Sequence, residues 1–134
     1  MIREYCDRTK LDDALLKSYI TQDVIEEASM YIESLALSMG VMPGEIVDPT
    51  PYMISRLCVL YIYVTISQKR ALFSKGKIGS SHQQVPEDDS FALKYKMYYR
   101  LWQDLLKQIT PDTFKNGKPA EKRKFPYTMP LLRG

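Results

Sequence analysis

Residues 50–66 read TPYMISRLCVLYIYVTI, and this stretch decides the fold. Thr50 followed by Pro51 is typical of a helix start, because threonine caps free N–H groups and proline lacks an N–H that would need a partner. Neither glycine nor proline follows through Phe73. The centre, CVLYIYVTI, is rich in β-branched and aromatic residues that also suit a strand, but length and capping favour a helix that ends at Leu72 or Phe73 and is buried nearly all round.

Such a helix needs cover on every side. The chain has 134 residues, enough to bury one hydrophobic core without disulfides or metals. Three further helices cover an apolar helix of this length with difficulty. Part of its surface is therefore a candidate subunit interface, and plain core is the alternative interpretation.

The pattern predicts those three helices on either side of the central one. Residues 9–20 place apolar residues at helical spacing behind Thr9, which stands three residues ahead of Asp12 in an approximate capping box. Residues 21–39 begin at a capping threonine and stop before Gly40. The last helix starts at Ser90 and ends at Thr110-Pro111, and it carries a stripe at +4, +3, +4, +3, +4 spacing: Phe91, Tyr95, Tyr98, Trp102, Leu105 and Ile109.

The remaining segments are predicted to be irregular. Residues 41–50 form a loop by composition. Residues 75–89 are polar and rich in Gly and Ser, which favours a flexible loop or a small hairpin, and residues 115–134 contain three prolines with no apolar periodicity. The sequence therefore predicts an all-α fold, with a small four-helix body (residues 1–114), a long polar loop and an extended C-terminal arm (residues 115–134).

Composition and charge narrow the class of protein. Hydrophobic residues make up 45% and charged residues 26%, which is typical of a folded globular chain. Residues 1–114 carry 13 Lys/Arg against 15 Asp/Glu, whereas residues 115–134 carry 6 against 1. We expect no targeting signal, no membrane span and, for Cys6 and Cys58, no disulfide, which fits a reducing compartment.

Few residues offer chemistry. His82, the single histidine, lies in the polar loop with no acid or cysteine beside it, and a solvated side chain is its simplest interpretation. The acids at 87–89 could hold a cation, but three acids ahead of a helix are more simply explained by the helix dipole. No phosphate-binding, dinucleotide-binding, zinc-protease or serine-hydrolase motif occurs. We expect no enzyme activity, cofactor or metal.

The arm has the pattern of a docking peptide. Its bases precede apolar residues on alternate positions of a proline-punctuated segment, so pockets could take the side chains while the bases meet acidic or phosphate groups. A merely solvated tail is the alternative. The candidate partner-binding residues are Lys115, Lys118, Lys122, Arg123, Lys124, Phe125, Tyr127, Met129, Leu131 and Leu132.

A second basic patch follows the central helix. It consists of Lys69, Arg70, Lys75 and Lys77. A solvated helix end, where cations suit the dipole, explains these four residues equally well. If the chain surrounds DNA, the patch is a candidate for lying near the nucleic acid.

The order of elements resembles a known family. A short LDDALLKSYI helix, an ITQDVIEEASMYIESLALSMG helix, a buried helix, a polar loop, an amphipathic helix and a tail ending TMPLLRG are similar to the head-tail connector, or adaptor, proteins of tailed bacteriophages. The similarity covers roughly residues 9–134. It rests on the pattern of helices and on the character of the tail, and the polar loop has no clear counterpart in the family.

The resemblance implies a structural role. Such proteins form a ring, commonly of twelve subunits, in the neck of the virion beneath the portal. The arm would reach the portal protein, a tail or stopper (completion) protein would lie on the other side, and DNA would pass through the channel without sequence-specific contact. The protein would be made in the host cytoplasm, with no membrane involved.

A small nucleic-acid-binding regulator with a basic tail is the alternative function. Against it, the body is slightly acidic, and no predicted helix shows the Arg/Lys/Asn/Gln-rich face of a recognition helix. A hydrolase or transferase is disfavoured by the missing catalytic set.

Overall fold

A computed structural model describes residues 3–78 and 86–116, which form four α-helices and no strand. The helices α1, α3 and α4 each contact α2, which is the centre of the body. The predicted all-α fold is confirmed. The bounds are α1 Gln22–Ser38, α2 Tyr52–Ile78, α3 Pro86–Leu106 and α4 Pro111–Asn116.

Helix α1 begins and ends where the sequence predicts. The Thr21 hydroxyl accepts the N–H of Val24 at 3.3 Å, and Asp23 lies in the first turn, where a negative charge suits the helix dipole. Gly40 follows the helix with a φ of +81°, a left-handed conformation that glycine adopts without strain. Both ends are thus set by local chemistry.

Helix α2 is the buried helix that the sequence predicts, and it runs about one and a half turns further, to Ile78. Its central residues lie in the core of this single chain, as the plain-core interpretation expects. Tyr52 and Leu72, nearer the ends of the helix, are 73% and 63% exposed, and a subunit interface on part of α2 stays a prediction. The other helices and the N-terminal segment cover it. Its buried apolar side chains are Ile54, Leu57, Cys58, Val59, Leu60, Ile62, Tyr63, Val64 and Ile66.

An aromatic cluster joins the three long helices. Tyr31 of α1 stacks on Tyr61 of α2 with ring centroids 4.1 Å apart and planes 5° from parallel. Trp102 of α3 lies 6.0 Å from Tyr31 and 6.2 Å from Tyr61. Such offset and edge contacts between aromatic rings are favourable beyond the area that they bury.

Helix α3 begins four residues earlier than predicted, at Pro86, so the acids at 87–89 lie in its first turn. The predicted stripe faces the core: Phe91 is fully buried, and Tyr98, Trp102 and Leu105 are partly buried against it. The helix ends at Leu106, before the predicted end, although Ile109 is still buried beyond it.

The polar loop is shorter than the sequence predicts. Residues 75–78 belong to α2 and residues 86–89 to α3, because helix continues from both sides into the segment predicted to be irregular. Residues 79–85, with His82, lie outside the described residues.

Helix α4 differs from the prediction, because Thr110-Pro111 starts a helix here rather than only ending one. Proline suits the first turn of a helix, and the Thr113 hydroxyl accepts the N–H of Thr110 at 3.0 Å. Phe114 is completely buried. Lys115 is in the last turn, exposed.

The predicted helix over residues 9–20 is wrong. This segment contains two short 3₁₀ turns, Arg8–Lys10 and Lys17–Tyr19. Tertiary bonds hold its backbone out of the helical path, because the hydroxyl of Tyr63 accepts the N–H of Asp13 at 3.1 Å and donates to the carbonyl of Lys10 at 3.0 Å. The apolar residues of this segment have helical spacing in the sequence, but they lie in turns in the structure.

Candidate functional site

The most polar buried cluster joins the N-terminal segment to α3, and we call it the Asp13 latch (Asp13, Lys94 and Tyr98). One carboxylate oxygen of Asp13 accepts the N–H groups of Leu15 at 2.9 Å and Leu16 at 3.0 Å. The other accepts hydrogen bonds from Lys94 Nζ at 2.8 Å and from the Tyr98 hydroxyl. The side chain of Asp13 is only 3% exposed, so the ion pair is largely shielded from water.

The latch keeps its carboxylate ionised. Burial by itself raises the pKa of Asp13, but the bonds from Lys94, Tyr98 and the Leu16 N–H outweigh it and hold that pKa below its usual range. Burial and the bond to Asp13 raise the pKa of Tyr98. Four hydrogen bonds use the acceptor capacity of a carboxylate, so the group has no free lone pair for a substrate. The latch therefore fastens the fold rather than offering a catalytic base.

The two cysteines form a second buried pair. Cys6 and Cys58 are both buried as free thiols. The hydrogen bond that Cys58 donates to Cys6, together with burial, raises the pKa of Cys58 and keeps that thiol protonated, and the same bond lowers the pKa of Cys6. Cys58 thus acts as a small apolar residue of the core, and Cys6 packs the N-terminal segment against it.

Two cations of the predicted second basic patch line a cavity of about 350 Å³. Lys69 is exposed, whereas Arg70 is half-buried with its guanidinium 4.5 Å above the ring of Tyr19. Packing on an aromatic ring is thus part of what Arg70 does. Lys75 and Lys77 lie in the last turns of α2, and their side chains lie outside the described residues.

The arm begins at a fixed point on the body. Phe114, two residues before the end of α4, is fully buried, and its carbonyl accepts the N–H of Val47 at 2.9 Å. Lys115 is the only predicted docking residue within the described part of the chain. The other nine candidates, from Lys118 to Leu132, lie outside the described residues.

Two exposed apolar surfaces were missed by the sequence analysis. On α1, Met30 and Leu37 are 53% and 50% exposed; with Glu26 and Glu27 they form what we call the acidic face of α1. The face lies on the side of α1 away from its buried residues. Because Glu26 and Glu27 lie one turn before Met30, the pattern favours a solvated surface here.

The second surface lies on α3. Leu93, Met97 and Leu101 are 65%, 45% and 38% exposed, and they share this side with the exposed charges of Lys96, Arg100 and Asp104; we call it the exposed face of α3. The three apolar residues recur every four positions, which places them along one side of the helix. This spacing is visible in the sequence, but the longer stripe that begins at Phe91 dominates the pattern.

Comparison of the chain with protein-family models, with curated proteins and with solved structures gave no match. Within the described ranges, no group of His, Cys, Asp and Glu side chains could hold a metal ion. None of the helices, as far as the structure describes them, is long and apolar enough to cross a membrane.

Proposed function

We propose that this protein is a structural adaptor of a tailed-bacteriophage neck. Copies of the chain form a ring that joins the portal vertex to tail components around the DNA channel, and the arm (residues 115–134) docks on the portal. The proposal starts from the resemblance in the order of helices and in the tail. It is consistent with an all-helical body.

The observation that carries the proposal is the attachment of α4. A docking arm binds more readily when the point at which it leaves the body is fixed. A fixed point limits the volume that the arm explores and raises its effective concentration at the partner. Phe114 is buried and its carbonyl accepts the N–H of Val47, and these two contacts fix the point at which the arm begins. The strongly basic, apolar sequence that follows then extends from a defined place on the body.

The exposed faces of α1 and α3 give further support. Groups of apolar side chains that are more than a third exposed, in helices whose other sides complete the core, are typical of surfaces that become covered in an assembly. An assembly protein needs such surfaces.

The test is native mass spectrometry of the full chain, alone and with rings of the portal protein encoded in the same genome. We expect a closed oligomer on the portal. A chain that ends at Asn116 should keep its helical circular dichroism, because Phe114 is retained, and should lose portal attachment.

Two sets of substitutions then separate charge from apolar contact within the arm. Replacing Lys122, Arg123 and Lys124 by Gln should weaken attachment in a salt-dependent way, because exposed charges are screened over about 8 Å at physiological ionic strength. Replacing Phe125, Tyr127 and Leu131 by Ser should weaken it with little dependence on salt. Lys10→Gln with Lys17→Gln, two exposed bases of the body, is the matched control.

One result would overturn the adaptor. In that result the full chain does not bind portal rings but binds duplex DNA through the arm, and its affinity for DNA falls steeply between low and moderate salt. The protein would then be a nucleic-acid-binding regulator.

A further inference from the structure

Two thiols that are far apart in the sequence meet in the core. Cys6 lies in the N-terminal segment and Cys58 in the buried centre of α2, and they are the two cysteines of the chain. The Cys58 thiol donates a hydrogen bond to the sulfur of Cys6, and both side chains are free thiols. The fold therefore builds a dithiol that the spacing of the cysteines in the sequence does not indicate.

The two members of this pair differ in their access to solvent. Cys58 is completely buried, whereas Cys6 keeps 7% of its surface exposed. Cys6 also lines a cavity of about 340 Å³ that opens to solvent, together with Asp7, Thr50 and Ser55, and Cys58 does not line it. A molecule as small as hydrogen peroxide fits this cavity and meets Cys6 before Cys58.

The hydrogen bond between the thiols makes Cys6 the more acidic of the two. The bond lowers the pKa of Cys6, because the donated proton stabilises the Cys6 thiolate, and it raises the pKa of Cys58, which burial raises further. Thiols react with oxidants as thiolates. The accessible member of the pair is thus the nucleophile, and the buried member stays protonated beside it.

We infer that Cys6 and Cys58 are a redox pair that closes to a disulfide when the chain meets a peroxide. The Cys6 thiolate attacks one oxygen of hydrogen peroxide and breaks the O–O bond; the leaving hydroxide takes up a proton to become water, and Cys6 becomes a sulfenic acid. The sulfur of Cys58 then displaces the hydroxyl group from the sulfur of Cys6, and its proton leaves with that group as a second water. The two thiols lose two protons and two electrons, which reduce the peroxide.

The disulfide would link the N-terminal segment covalently to α2. Polar bonds hold this part of the segment to α1: Tyr5 donates through its hydroxyl to Glu33 at 2.8 Å and through its N–H to Ser29 at 3.4 Å. A disulfide holds its sulfurs about 2.0 Å apart, closer than a hydrogen bond does, so Cys6 moves slightly toward Cys58 on closure. The bond closes a loop of about fifty residues in the unfolded chain, and restricting so long a loop stabilises the folded state.

This inference goes beyond the proposed function and does not depend on it, so the failure of either leaves the other standing. The cytoplasm keeps thiols reduced, whereas disulfides persist outside the cell. The pair would stay a dithiol inside a reducing cell and close on exposure to peroxide. In an adaptor of a virion, closure would follow release from the host.

Treatment of the reduced full chain with stoichiometric hydrogen peroxide tests the pair. We expect a monomer whose intact mass falls by the mass of two hydrogen atoms, a peptide map that links Cys6 to Cys58, and reversal by dithiothreitol. The midpoint of thermal unfolding, followed by circular dichroism, should rise by about 5–15 °C on oxidation. Disulfide-linked dimers, a sulfinic acid on Cys6 without the link, or two thiols that remain unreacted would each overturn the inference.

Two variants test the order of the steps. In Cys58→Ala the sulfenic acid on Cys6 has no second thiol to meet, so dimedone should trap it. In Cys6→Ala the buried thiol of Cys58 should react with peroxide about tenfold more slowly, or less, than Cys6 does in Cys58→Ala. Circular dichroism checks that each variant is folded, and the wild-type measurement needs no substitution. Equal rates in the two variants would show that Cys6 is not the entry point for the oxidant and would overturn the proposed sequence of steps.

Discussion

Helix α2 and the N-terminal segment (residues 3–20) are held in place by different interactions. Apart from Tyr63, whose hydroxyl bonds to Asp13 and Lys10, the centre of α2 is held mainly by apolar burial. The N-terminal segment has few buried residues and is fastened by polar side chains. Arg3 donates to the carbonyls of Ile46 at 2.9 Å and Val47 at 2.7 Å, and Tyr5 donates to Glu33 at 2.8 Å.

The difference shows how local and distant interactions set backbone shape. Apolar burial has no direction, so α2 keeps the helix that its own length and caps favour. Hydrogen bonds are directional, and a few of them can hold a short segment in turns even when its apolar spacing suits a helix. The predictions below test this contrast in order of expected effect.

The largest effect is expected in α2. Ile62 is completely buried, so Ile62→Ala should lower the free energy of unfolding by about 2–5 kcal/mol, from lost burial and the cavity left behind. Leu93→Ala removes a similar side chain that is mostly exposed and should change the free energy by less than about 0.5 kcal/mol. Urea denaturation followed by circular dichroism measures both. Equal losses would contradict the burial described for α2.

A smaller effect is expected at the Asp13 latch. Asp13→Asn removes the charge that Lys94 and Tyr98 bind. Because hydrogen bonds to charged groups are strong, we expect the free energy of unfolding to fall by about 1–3 kcal/mol. The contact that Lys94 keeps with water limits the effect. A double-mutant cycle with Lys94→Met isolates the ion pair from the other bonds. A coupling energy of zero would mean that the pair does not stabilise the fold.

The smallest effect is a dependence on pH. The pKa of Asp13 is lower in the folded chain than in the unfolded chain, so the unfolded chain binds more protons in acid. The latch stabilises the fold fully above the unfolded value of about 3.9, and this contribution is lost as the pH falls through the folded value.

Denaturation of wild type and Asp13→Asn at pH 6, 5, 4 and 3 checks this. The difference in the free energy of unfolding between wild type and Asp13→Asn should shrink as the pH falls. A difference that stays constant would show that the latch does not depend on this ionisation. Glu4→Gln is the companion variant, because hydrogen bonds from Arg8 and Gln22 lower the pKa of Glu4 to about 2 and this exposed group also titrates in acid.

Much of the helical body could be predicted from local signals. Thr21 and Gly40 mark the ends of α1, and Thr50-Pro51 marks the start of α2. The prediction failed where a local signal has two meanings. Thr110-Pro111 can end one helix or begin another, and only the buried site that receives Phe114 selects the second outcome.

The candidate site was less predictable than the fold. The docking residues predicted in the arm beyond Asn116 stay a prediction, since they lie outside the described residues. The exposed faces of α1 and α3 could not be read from periodicity alone. A leucine such as Leu93 has the same chemistry in a core or on a surface, and only packing against α2 decides which side of α3 is covered.

By itself the sequence determined that this chain is helical, where its two best-capped helices begin, and that a basic segment follows a nearly neutral body. These properties depend on capping, spacing and composition, which act between residues close together in the chain. Tertiary structure alone decided that residues 9–20 are turns, that the centre of α2 is buried within one chain, and which apolar side chains stay exposed. Each of these depends on contacts such as Asp13 with Lys94, 81 residues apart in the sequence, which local spacing does not encode.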